Sequence, residues 1–285
     1  MTENNNLGNK YRLIRKGKNI NLQVAADEIT SVSHLSEWEN GKTSMDADML
    51  LRLLNRINIE PYDFFDQNGV AEIHFYTDDI VQLYANNDIN GLKSLIDILR
   101  FNYKSYPANK TFFYKMTIAA NFYMDLTGEN ILSDLESKKL QLKFSCIKDW
   151  YVQDIVLFSN TQLLIDPQQV YDHTRSIMNY FLMKNGALNS MVINTTFNTI
   201  FVLLKNKKTE LAVKLLQIFE HHNDSNQNTY DQIRINFMYV LINFIFTKDE
   251  TSIHTFISAL DTLGLNQKGE DFKFAFSQIK DIYKK

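Results

Sequence analysis

Ser31-Val32-Ser33-His34-Leu35-Ser36-Glu37-Trp38-Glu39-Asn40-Gly41 reads as one short helix carrying its own start and stop signals. Ser31 is placed to cap it and Asn40-Gly41 to end it: a serine oxygen accepts from the first orphan amides, and glycine tolerates the left-handed turn that closes a helix. Leu35 and Trp38, three apart, define an inward face. Ser33, His34 and Glu37 then point outward. A short helix with such a polar outer face has the shape that enters a duplex groove.

Its neighbours fit the same reading. Residues 9–17 form a first helix ended by Gly17, with Tyr11 and Ile14 facing in and Arg12, Arg15 and Lys16 facing out. Asn21 caps a second helix, whose apolar face is Leu22, Ala25, Ala26 and Ile29, and the small alanines let a crossing helix come close. About three residues of turn separate that helix from the next, so the two make a helix-turn-helix. Ser44 is expected to cap a fourth helix with Asp46 and Asp48 in its first turn and Leu50, Leu53, Leu54 and Ile57 inside. Pro61 opens a fifth, which carries Phe64 and Phe65.

The composition limits the rest. With 285 residues, 45% of them apolar, the chain can build one large or two ordinary domains. Three prolines and nine glycines leave few helix breakers, and the apolar residues recur at helical spacing, so the fold class is all-α. No stretch has the length of a membrane span or the pattern of a signal peptide, which makes a cytoplasmic protein without a membrane partner the expectation. The single cysteine, Cys146, permits no internal disulfide, and its neighbours Phe144 and Ile147 suggest burial. Net charge is −3, and the first 67 residues hold eight Lys/Arg against ten Asp/Glu. Yet Lys10, Arg12, Arg15, Lys16 and Lys18 lie together without an acid among them, and phosphate contact needs only a local patch of this kind.

The pattern from Ala26 through Ser33, Leu35, Ser36, Trp38 and Glu39 to Gly41 resembles the repressor-like helix-turn-helix and, within it, the Rgg/GadR/MutR regulators. The likeness continues through Ile-Lys-Asp-Trp150 to Leu157-Phe158-Ser-Asn160, then His-Thr-Arg175-Ser-Ile-Met178, and then Val192 to Asn198 and the following Thr-Ile-Phe. It implies a homodimeric cytoplasmic transcription regulator that binds double-stranded DNA. Its helical-repeat domain, similar to tetratricopeptide arrays, would hold a short signalling peptide in a concave face. Two residues depart from the family pattern. Glu37 stands where a basic or polar residue is usual, so it either accepts from a cytosine amino group or is solvated. Trp38 replaces a phenylalanine-like core residue, which changes size and not role.

Ser33, His34 and Glu37 are therefore the candidates for base edges, and Arg12, Arg15 and Lys42 for phosphates. The expected boundaries are a helix-turn-helix domain at 1–67, a linker at 68–74 and a sensing and dimerisation domain at 75–285, since aromatic-rich longer helices follow Gln67-Asn68-Gly69. Eleven helices are expected there, near 75–86, 89–104, 109–127, 131–145, 148–161, 167–184, 188–205, 208–222, 228–247, 249–263 and 269–283. No crisp repeat is visible, so periodicity alone allows a solenoid or a bundle.

Asparagine is a poor helix former, yet Asn121, Asn160, Asn194, Asn198, Asn236 and Asn243 sit inside strongly apolar helices. An amide offers a donor and an acceptor together, which is what an extended peptide backbone needs from a groove. Asn160, Asn194, Asn198, Asn236 and Asn243 are the peptide-binding candidates, although asparagines also bond one another between stacked helices. Trp150 is expected in the core. His221 and His222 are adjacent rather than a turn apart, which is no metal pair, and His74, His173 and His254 stand alone. With no phosphate loop or nucleophile elbow either, neither an enzyme nor a cofactor is expected. The competing reading is a helical-repeat interaction adaptor without sequence-specific DNA binding.

Overall fold

The computed structural model describes residues 7–66, 78–185, 188–222 and 229–284. Among them lie sixteen α-helices, one 3₁₀ turn and no strand. The chain divides into two compact units, residues 1–75 and 76–285. The expected linker at 68–74 lies outside the described residues, as does His74.

The first unit holds α1 (Leu7–Gly17), α2 (Leu22–Ala26), α3 (Val32–Glu39), α4 (Ala47–Arg56) and α5 (Pro61–Asp66). Its core is Tyr11, Ala25, Ala26, Leu35, Trp38, Leu50, Leu53, Leu54, Ile57 and Phe64. The Tyr11 and Trp38 rings meet at 5.5 Å. The α3 helix starts as its sequence requires, with the Ser31 oxygen accepting from the His34 amide at 3.1 Å. It ends in a Schellman turn: Gly41 takes φ 73°, its amide donates to the Trp38 carbonyl, and the Lys42 amide donates to that of Glu37. Gly8 lets α1 cross α3 closely, because a Cβ there would stand 2.0 Å from the Trp38 carbonyl oxygen. At the end of the short α2, Arg52 and Arg56 donate to the Glu28, Val24 and Asp27 carbonyls, which would otherwise be orphaned.

The second unit runs α6 (Asp78–Ala85), α7 (Ile89–Ser105), α8 (Lys110–Thr127), α9 (Asp134–Ser145), α10 (Val152–Ser159), a 3₁₀ turn (Gln162–Leu164), α11 (Pro167–Asn185), α12 (Ser190–Lys205), α13 (Thr209–His222), α14 (Thr229–Thr247), α15 (Thr251–Thr262) and α16 (Asn266–Tyr283). Helices mostly pack on their neighbours in the chain, as in a solenoid, but α16 also returns to touch α12 and α14. No helix among the described residues is long and apolar enough to cross a membrane.

Three local expectations are corrected. The fourth helix is capped by Asp46, whose carboxylate accepts from the Met49 amide at 2.8 Å, and not by Ser44. A carboxylate at this end also satisfies the helix dipole. Cys146 is exposed, because Phe144 takes the inward direction and a residue two further along a helix lies on nearly the opposite side. The helix expected from 148 starts at Val152, with the chain extended at Tyr151, while Trp150 is buried and its indole donates to the Ser176 hydroxyl at 3.2 Å.

Candidate functional site

On the first unit, Ser33 and Glu37 lie exposed one turn apart on α3. His34 is half-buried, with Nδ1 3.0 Å from the Thr30 hydroxyl, so Nε2 is the ring nitrogen without an internal partner among the described residues. Arg12 anchors at the end of α3, donating to the Asn40 side-chain oxygen at 2.7 Å, and Lys42 is exposed just beyond. These five candidates thus share the α3 surface. Arg15 does not join them. It is 4% exposed, and its guanidinium donates to both carboxylate oxygens of Glu39 at 2.7 Å and to the Ile20 carbonyl at 2.6 Å. The hydrogen bonds that Arg15 donates to Glu39 outweigh burial and raise the Arg15 pKa above its ordinary value. A side chain so enclosed ties α1 to α3 and has no edge left for a phosphate, so the outward placement is corrected.

On the second unit, alternating helices α6, α8, α10 and α12, the 3₁₀ turn and α16 border a groove of about 270 Å³. Its walls are Phe122, Leu163, Phe201, Val202 and Phe274, interrupted by the amides of Asn121, Asn160, Asn198, Gln162 and Gln278. Asn160 bonds back to the Val156 carbonyl at 2.8 Å, Asn198 donates to the Ser159 hydroxyl at 3.1 Å, and Asn121 accepts from the Leu163 amide at 2.9 Å. Each amide therefore keeps part of its hydrogen-bonding capacity. At one end, Asp125 accepts from Lys205 at 2.5 Å, from the Tyr84 hydroxyl at 2.5 Å and from Gln278 at 3.3 Å. Burial first, and then the Asp125 charge, raise the Tyr84 pKa well above the ordinary phenol range.

Gln162 is 1% exposed and donates to the Thr199 hydroxyl at 2.8 Å, while its own carbonyl oxygen is buried without a partner among the described residues. Such an acceptor costs about 1–3 kcal/mol until a donor reaches it.

The other three asparagines do not border the groove. Asn194 accepts from Arg234 at 2.7 Å, Asn236 accepts from Gln232 at 3.2 Å, and Asn243 is exposed on α14. Asn194 and Asn198 are one turn apart as expected, but the groove edge passes between them.

Comparison with known proteins matches residues 93–273 to "HTH-type transcriptional regulator Rgg, C-terminal domain" and residues 12–64 to a helix-turn-helix family. The chain belongs to the Rgg family of helix-turn-helix transcriptional regulators. Among solved structures it is similar to the SHP pheromone receptor Rgg2 of Streptococcus dysgalactiae, at 18% identity and TM-score 0.72, covering 95% of this chain and 99% of that one. It is also similar to PrgX in a PrgX/cCF10 complex, at 14% identity and TM-score 0.67, covering 97% and 93% of the two chains.

The part matched to the Rgg C-terminal domain supplies most of the groove, but Tyr84, Phe274, Ala275 and Gln278 come from outside it. Sequence reasoning missed Gln162, Asp125, Lys205, Tyr84 and Gln278 as groove residues. No spacing rule relates them, since they are joined only by packing between helices far apart in the chain. Asn121 did carry a signal, being an asparagine inside an apolar helix of this Rgg regulator.

Proposed function

We propose that this Rgg regulator binds DNA as a homodimer through α3 and is controlled by a short peptide held in the groove of its second unit. Ser33, His34 and Glu37 face base edges, and Arg12 and Lys42 hold phosphates. Two copies are needed because one eight-residue helix spans few base pairs. A protein acting on the chromosome works in the cytoplasm. The observation that carries the sensing half is the groove itself, an apolar hollow with the amides of Asn121, Asn160 and Asn198 along it. An extended peptide backbone supplies the N–H and C=O groups that such amides would pair, and Phe122, Phe201 and Phe274 would take apolar side chains. The pheromone-receptor relatives support the same ligand class. Asn194, Asn236 and Asn243 stand lower as contacts, because they do not border this hollow.

A panel of labelled short apolar peptides, read by fluorescence anisotropy, tests the groove. Asn160→Ala with Asn198→Ala should weaken the best peptide at least tenfold while leaving gel-shift binding to DNA flanking the coding region intact. Equal peptide affinity in the variant would remove the groove from the proposal. On the DNA side, Lys42→Ala should lower the salt slope of binding by about 0.9, the value of one phosphate contact. An unchanged slope would take Lys42 off the duplex.

A further inference from the structure

A second hollow, of about 390 Å³, lies between α11 and α13, apart from the peptide groove. It is bordered by Tyr171, Arg175, Lys214, Gln217, Ile218, His221 and His222. Four of these seven side chains are basic and none is acidic. Elsewhere in this unit cations close to carboxylates pair with them, as Lys205 does with Asp125 and Arg100 with Glu136. Among the described residues Arg175 and Lys214 form no ion pair. The nearby acids are turned elsewhere: Asp172 accepts from Gln168 at 3.3 Å, Glu220 accepts from the Tyr239 hydroxyl, and Glu210 forms no ion pair with Lys214 one turn on.

We infer that this hollow binds a small phosphate monoester. A guanidinium, an ammonium, the Gln217 amide and two imidazoles border the hollow; together they offer more donors than a carboxylate's two oxygens can use, and a phosphate monoester presents three terminal oxygens. Tyr171 and Ile218 add apolar surface to the lining beside which the organic part rests, and the Arg175 guanidinium lies 5.7 Å from the Tyr171 ring centroid. Its volume is that of a small-molecule site. A DNA backbone asks instead for a strip of charge along a surface.

The test is calorimetric titration of the full chain with AMP and with inorganic phosphate at constant ionic strength, alongside the histidine NMR signals. Arg175→Gln with Lys214→Gln changes two exposed side chains, so circular dichroism and melting should match the parent. The parent should bind AMP saturably and more tightly than inorganic phosphate, with shifts at His221 and His222, and the double variant should lose at least tenfold in affinity. Absence of saturable AMP binding, or equal affinity in the variant, overturns the assignment. So does a parent that ignores AMP while the variant loses affinity for duplex DNA, since the patch is then a nucleic-acid contact. Peptide binding in the other groove is unaffected either way, which separates this outcome from the sensing proposal.

Discussion

A guanidinium is taken out of water only where a carboxylate is waiting, and Arg15 is such a case. Tyr11 and Arg15 are one turn apart on α1 and share the inward face, so helical spacing would have placed Arg15 inside, whereas its charge argued for outside. Glu39, 24 residues later on α3, decides the matter by pairing with it at 2.7 Å. Arg15→Ala leaves that carboxylate buried and alone. The first unit should lose about 3–5 kcal/mol in denaturant unfolding. Molecules that remain folded should keep the parent salt slope for DNA, because Arg15 is buried and already paired with Glu39. A variant as stable as the parent would show that the pair contributes nothing net.

Single elements of this chain follow their local signals closely. Ser31 and Gly41 delimit α3 as their chemistry requires, and Pro61 opens α5. Where α9, α10 and α11 meet, pattern gives way to packing. His173 stands beside Phe144, Trp150 and Phe158, with ring centroids 5.8 to 6.2 Å away. Burial pushes the His173 pKa below its ordinary value, and Asp172 works the other way with less effect. The unfolded chain then takes up a proton before the folded one does. Stability is complete above about pH 6.5, falls as the pH drops below it, and levels off beneath the lowered folded value. His173→Gln should flatten the dependence of unfolding free energy on pH below about 6.5. A slope equal to the parent's would assign that dependence to another group.

At the scale of the whole second unit, Asp125 gathers side chains from positions 84, 205 and 278, and so joins α6, α8, α12 and α16 at one carboxylate. Asp125→Ala would strand the Lys205 ammonium in a largely enclosed site, since the two side chains are 15% and 13% exposed. About 3–5 kcal/mol should be lost from this unit's unfolding, as for other broken buried pairs. A change confined to the last helix, seen as local amide exchange with the rest protected, would show that the hub merely pins α16.

The all-helical class, the helix-turn-helix and most helix positions were legible in the sequence because they rest on period, caps and breakers within a few residues of one another. Asn160 and Asn198 were legible as groove amides for a similar reason: an asparagine in an apolar helix asks for a partner. Their separation from Asn194, Asn236 and Asn243 was not legible, since which stretch of α12 or α14 borders a hollow depends on the neighbouring helices. The same holds for Arg15 and for the Asp125 hub. A charge can be buried, and a hollow can be closed, only by residues that the fold brings from elsewhere in the chain. Sequence therefore determined the elements and the kind of protein, and tertiary packing decided which polar groups border a hollow and which hold the molecule together.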